Sequence, residues 1–217
     1  MRLLVRRRFL VPTLRGWIVL CASGLIATIL VVRYLYWFLA PNAPFEGGAL
    51  VVEGWGDDRM MAQAIAEYDR HHYDSLYVTG GPIPPGTVFS DYKSMANLSA
   101  AVIDRLSQGR VPVQPVPAPE VRKDRTFTSA LETKKWMLAH GGVALKVTVL
   151  SSGPHSRRTW LLYRRAFGNT ARIGIIAMSP DDYESSSWWK SSEGFRSVIG
   201  EAIAYGYARL FFWKFAD

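Results

Sequence analysis

The chain has one cysteine, Cys21. No intrachain disulfide can staple it, so apolar burial must carry the fold. Histidine is scarce as well. His71, His72, His140 and His155 show no metal-ligand spacing and have no cysteine partners, so the sequence offers no metal centre. Acidic residues are missing from positions 1–33. Three motifs are also absent: a G-x-x-x-x-G-K-[ST] phosphate loop, a G-x-S-x-G elbow and a complete G-x-G-x-x-G fingerprint. Gly54-Trp55-Gly56 begins like the last of these, but Asp57-Asp58-Arg59 follows. The cofactor, if any, is unknown from sequence.

What is present is a chain of 217 residues, 49% hydrophobic and 20% charged, a mix that suits one packed domain with attachments. The net charge of +8 resembles a nucleic-acid signal until it is located. Arg2, Arg6, Arg7, Arg8, Arg15 and Arg33 supply six of the eight charges, leaving +2 (8 − 6) for the other 184 residues (217 − 33). A nucleic-acid binder needs its basic residues on the folded domain, so no nucleic-acid partner is expected.

Residues 16–39 read as a transmembrane anchor. Gly16 to Val32 carries no charge, and Tyr34, Tyr36 and Trp37 follow Arg33 as an interfacial aromatic belt. Five arginines precede the span and only Arg33 lies at its far end. The positive-inside rule therefore makes residues 1–15 a cytoplasmic basic tail and places residues 45–217 outside the cytoplasm. The chain is expected to cross its membrane once. The alternative, a cleaved signal peptide, conflicts with the length of the apolar run and the lack of an A-x-A site near Ala40.

Beyond a stiff Pro41–Pro44 linker, strands and helices alternate. Strands are expected at 49–53, 75–79, 111–116, 146–151 and 172–178, the prolines of the third putting it near an edge or leaving it irregular. Helices are expected at 58–72, 92–106, 126–140, 154–167 and 193–215. This pattern predicts a three-layer α/β/α domain with a mostly parallel sheet of about five strands, preceded by one transmembrane helix.

In such sheets ligands bind beyond the carboxyl ends of the strands. Four polar groups fall there. Glu53 ends the first strand, with Arg59 close behind; it is a general acid or base, or it pairs with Arg59 or Arg125. Thr79-Gly80-Gly81 ends the second strand, as a source of phosphate-binding amides or as a plain turn. Arg125-Thr126 opens a helix that Asp124 could cap. Ser151-Ser152 ends the fourth strand, and His155, Arg157 and Arg158 follow in the first turn of a helix. Free amides and guanidinium groups there favour an anion, unless the arginines pair with surface acids.

These pieces, in this order, resemble the SanA/ElyC/YdcF family of bacterial envelope proteins from about Ala49 to Met178. They are Leu50-Val51-Val52-Glu53-Gly54 with Arg59, Val78-Thr79-Gly80-Gly81, Arg125-Thr126-Phe127-Thr128-Ser129-Ala130, and Val149-Leu150-Ser151-Ser152 with His155 and Arg158. The third piece departs from the family pattern, with Arg125, Thr128 and Ser129 in place of two amides and an acid. Glu53 also stands where a glycine is usual. The resemblance implies a Rossmann-like fold and a role in cell-envelope, peptidoglycan or surface-polysaccharide biogenesis, with no settled reaction.

Two functions are therefore expected. One is action on, or binding of, a phosphate-bearing glycan or polyprenyl-phosphate carrier. Glu53 and His155 would be catalytic, and Arg59, Thr79, Gly80, Gly81, Arg125, Thr126, Ser151, Ser152, Arg157 and Arg158 would hold the ligand. The other is a non-catalytic module of an envelope-assembly complex. The aromatic end of the last helix either packs on the sheet or returns to membrane lipid.

Overall fold

The structure is a computed structural model that describes residues 12–142 and 145–211. Helix α1 (Leu14–Leu39) is followed by β1 (Ala49–Glu53), α2 (Asp58–Arg70), β2 (Ser75–Gly80), α3 (Met95–Ser107), β3 (Val113–Pro117) and α4 (Arg125–Ala139). The chain continues through β4 (Lys146–Ser152), α5 (Ser156–Phe167), β5 (Arg172–Met178) and α6 (Ser192–Phe211). The five strands form one all-parallel sheet in the order β3-β2-β1-β4-β5.

Strand parity divides the core. Leu50 and Val52 of β1 face α2 and α3, where they meet Met61, Ala64, Val78 and Ile103. Ala49 and Val51 face the other way, toward Met137, Val149, Tyr163 and Phe167. Both faces of the central strands are covered, which explains why β1 is buried along its whole length and lacks the apolar/polar alternation of a half-exposed strand. The proline-bearing β3 lies at the sheet edge, where a missing N–H costs no ladder bond.

Several boundaries move for local reasons. The third helix begins at Met95 because the Ser94 side chain caps it, accepting from the Asn97 N–H at 3.1 Å. Tyr92 belongs to a short 3₁₀ turn before it. Residues 153–155 form another 3₁₀ turn, so α5 starts at Ser156. Asp124 precedes α4 but does not cap it. Its backbone is left-handed (φ 61°), and its side chain makes no capping bond. The expected basic tail falls largely in residues 1–11, and the expected end of the last helix in 212–215; both lie outside the described residues.

Helix α1 has 26 residues, about 39 Å at 1.5 Å per residue, and is long and apolar enough to cross a membrane. Its body is uncovered, with Ile18, Val19, Leu25, Ile26 and Ile29 all more than half exposed. Its last two turns are covered on one side. Tyr36 and Leu39 are buried in a cluster with Trp188 and Val198, and the Trp188 indole N–H donates to the Val32 carbonyl at 3.0 Å. Helix α6 packs chiefly on α5, α1 and the 3₁₀ turns beside them, rather than on the sheet. Arg165 of α5 also donates to the Ala208 carbonyl at 2.6 Å.

Trp188 therefore joins the apolar helix to the domain. Trp188→Ala is expected to cost about 3–5 kcal/mol by leaving a cavity. Trp188→Phe should cost less, since it keeps an aromatic ring and forfeits a hydrogen bond worth about 1 kcal/mol. Thermal unfolding of the detergent-solubilised chain would rank the two; equal midpoints for wild type and Trp188→Ala would refute this role.

Candidate functional site

The chain fills the sheet from β1 outward through β2 to β3, then returns to place β4 on the other side of β1. Neighbouring strands at such a reversal send their connections in opposite directions, which leaves a crevice at their carboxyl ends. A cleft of ≈ 880 Å³ occupies that position. Its walls come from the segments after β1, β3, β4 and β5, and from α6.

Glu53 closes the floor. As an odd-numbered position of β1 it shares the face of Ala49 and Val51, so its carboxylate points toward α5. It is only 6% exposed. The Thr159 hydroxyl lies 3.3 Å from both carboxylate oxygens, and Ser151 sits 3.3 Å behind Thr159. His155 presents Nε2 at 3.6 Å from Glu53 Oε1. The other ring nitrogen, Nδ1, lies 3.0 Å from Glu201 Oε1 and 2.9 Å from Arg158 Nη2. Arg158 grips Glu201 with two bonds, Nε to Oε2 and Nη2 to Oε1, each 2.9 Å. Two cations and two carboxylates thus alternate along one chain of contacts, and their formal charges cancel.

Burial by itself would push the His155 pKa down. The charge of Glu53 and the hydrogen bonds to Glu201 and Glu53 outweigh it and raise the pKa to about 9. Burial would raise Glu201, but hydrogen bonds from His155 and Arg158, with their charges, bring it down to about 2. Glu53 is lowered as well, because His155, Ser151 and Arg158 overcome its burial. At neutral pH both carboxylates are therefore ionised and the imidazole is cationic. Nδ1 then donates to Glu201. Stripped of its proton, it would instead accept from Arg158, so one proton chooses between two partners at the same atom.

Of the residues singled out by sequence, the cleft gathers Glu53, Arg125, Thr126, Ser152, His155 and Arg158. The others lie outside its lining. Thr79 and Ser151 are buried beneath it. Gly80 is packed against Met95 and Ala96, and Gly81 lies under the Trp55 ring, where a Cβ would come within 3.2 Å. Arg59 pairs with Asp181 and donates to the Ser179 carbonyl at 2.8 Å, tying α2 to the segment after β5. It does not pair with Glu53. Arg157 turns away to the Phe38 carbonyl at 2.6 Å and lies over the Phe38 ring, so it fastens α1.

Sequence reading missed Glu201. Its signal was a lone carboxylate within the apolar run from Val198 to Tyr207, which a helix of uniform packing would not keep. Arg122 and Lys123 join Arg125 on the β3–α4 wall, with the Arg125 guanidinium 5.5 Å from the Trp55 ring centroid. Among the described residues none of these three cations forms an ion pair. No family model matches this chain, and no curated protein matches it.

The raised His155 pKa stabilises the fold fully below pH 6.5, its ordinary value, and that contribution is lost as pH rises through about 9. The lowered Glu201 pKa stabilises above 4.5 and is lost as pH falls through about 2. The thermal midpoint is expected to decline from pH 6.5 to 9 in the wild type and to decline less in His155→Gln; parallel profiles would refute the coupling. Glu201→Gln should move the His155 titration, followed by imidazole NMR, down from about 9 toward 6.5, and an unmoved titration would exclude Glu201 as its partner.

Proposed function

We propose that this chain is a bacterial cell-envelope protein held in the inner membrane by α1, with its basic amino terminus in the cytoplasm and its domain outside. In this reading the cleft binds, and acts on, a phosphate-bearing glycan or lipid-carrier ligand. The supporting observation is the meeting of two chemistries in one crevice. A protonated imidazole is held between two carboxylates, and the same cleft is lined by Arg122, Lys123 and Arg125, which have no acidic partner among the described residues. The three cations would take the phosphate oxygens. His155 would serve as general acid from Nε2, which lies 3.6 Å from Glu53 while Nδ1 is held by Glu201. Water attacks phosphorus and gives its proton to solvent, the P–O bond to the leaving group breaks, and the leaving oxygen takes the Nε2 proton. The resemblance to the SanA/ElyC/YdcF family, together with the arginine asymmetry around α1, supports the envelope location.

Arg158 has a different role from the one its position suggested. Its guanidinium is taken up by Glu201, so it orients the acid network rather than offering free charge to a ligand. A second reading draws on the same fact. A network whose charges cancel without ligand also suits a rigid, non-catalytic surface of an envelope-assembly complex.

Titration calorimetry with pyrophosphate on the detergent-solubilised chain separates the ligand reading from its alternative. The triple change Arg122→Ala, Lys123→Ala, Arg125→Ala is expected to weaken binding by at least ~10-fold, equivalent to ~1.4 kcal/mol. His155→Gln should retain binding while losing any turnover. Equal affinity in wild type and triple variant would overturn the reading, and absence of binding in both would favour the scaffold.

A further inference from the structure

The route by which α1 enters the fold fixes which end of the sheet lies nearest to it. Ala43 pairs antiparallel with Ile175, so the chain, followed backward from Ala43 to Leu39, climbs toward the carboxyl end of β5. There the Tyr36 hydroxyl reaches the turn after β4, where a Cβ on Gly153 would lie 3.7 Å from it. Val32 meets Trp188 in the turn after β5. The exposed apolar body of α1 thus leaves the domain beside the strand ends that carry the cleft.

The same end bears a second apolar feature. After β2 the chain makes an excursion whose base is pinned by Ile83 N–H to the Lys93 carbonyl (3.0 Å) and by Met95 N–H to the Gly81 carbonyl (2.8 Å). At its tip Val88 is 91% exposed and Phe89 54%. Neither has core to cover, and the loop opens at the end of the sheet where α1 departs. Trp55, between this loop and the cleft, is also exposed. Charged side chains of both signs stand at that end too, Asp91 and Lys93 where the loop returns, and Arg122, Lys123 and Arg125 with Asp57, Asp124, Asp181 and Asp182 in the cleft wall. Exposed apolar and aromatic tips among side chains of both charges match the interfacial layer of a bilayer, where acyl chains meet polar headgroups.

We propose that the carboxyl-end face of the sheet docks on the bilayer that holds α1, with Val88 and Phe89 seated in its interfacial layer. The proposal rests on the anchoring of α1 described under the proposed function. It adds that the cleft opens toward the headgroup region, so its ligand is a membrane-resident phosphate compound, taken from the lipid surface and not from bulk solvent. Two attachments, one helix and one loop on the same face, would fix the height and tilt of the domain above the membrane. A single helix alone would leave helix and domain free to tilt together in the bilayer.

The test uses the full chain in vesicles of phosphatidylcholine and phosphatidylglycerol. In a Cys21→Ala background, Leu25→Cys, Phe89→Cys and Leu106→Cys are labelled singly with an environment-sensitive nitrobenzoxadiazole. Leu106, at the end of α3, marks the opposite end of the sheet. The probes at 25 and 89 are expected to be quenched by lipid-borne nitroxide, and iodide should quench the probe at 89 about fivefold less than the probe at 106. Equal iodide quenching at 89 and 106, with 25 still in lipid, would overturn docking while leaving the anchor intact. A probe at 25 open to iodide would overturn both. Val88→Cys repeats the measurement at a position so exposed that folding does not depend on it. Pyrophosphate binding in detergent needs no docked membrane, so failure of docking and failure of the ligand reading are separately visible.

Discussion

A carboxylate stands at the end of the central strand with almost no access to water, and the architecture around the cleft follows from what it needs. Glu53 could not remain ionised on burial alone, which would force it neutral. It stays charged because the 3₁₀ turn before α5 and the first turn of α5 bring His155 and Thr159 against it. His155 in turn holds its proton because of the charge of Glu53 and because a second carboxylate, Glu201, arrives from α6. Glu201 is kept in place by the two-pronged grip of Arg158. Removing any one member would strand a charge in a poorly solvated place, which costs more than the pair itself contributes. The network thus binds β1, α5 and α6 into one unit as well as furnishing a proton.

That dependence explains the position of α6. A helix added after a complete five-stranded sheet could have packed anywhere. Here its inner residues meet two constraints together. Glu201 has to reach Arg158 and His155, while Val198 has to cover Tyr36, Leu39 and Trp188. The helix therefore lies between the cleft and the end of α1, so the site and the apolar helix share a wall. Arg157 and Arg158 show the same division at adjacent positions of α5. One reaches outward to the Phe38 carbonyl and the other inward to Glu201, because neighbouring residues on a helix point about 100° apart.

The architecture was legible in the sequence wherever local pattern decided it. Short apolar runs at 49–53 and 146–151, bounded by glycine or small polar residues, read as strands covered on both faces. The prolines of β3 placed it at an edge. The uncharged stretch from Gly16 marked α1. Six of the twelve suggested site residues line the cleft, because strand carboxyl ends converge in any parallel sheet, whatever the details. The rest depended on directions that spacing does not encode. Arg59 was drawn off by Asp181, Gly81 made room for Trp55, and Asp124 took a left-handed backbone and so could not cap its helix.

By itself the sequence determined the element types, their order, the long apolar helix and the place of Glu53 at the end of a strand. These depend on hydrophobic periodicity and on backbone rules that act within a few residues. Only the tertiary structure decided that Glu201 completes the charge network, that Arg157 fastens α1 instead of lining the cleft, and that α1 departs from the end of the sheet that bears the site. Each of these joins residues some forty to well over a hundred positions apart. Such pairings are selected by packing and by the cost of a lone buried charge, and those energies exist only once the chain has closed on itself.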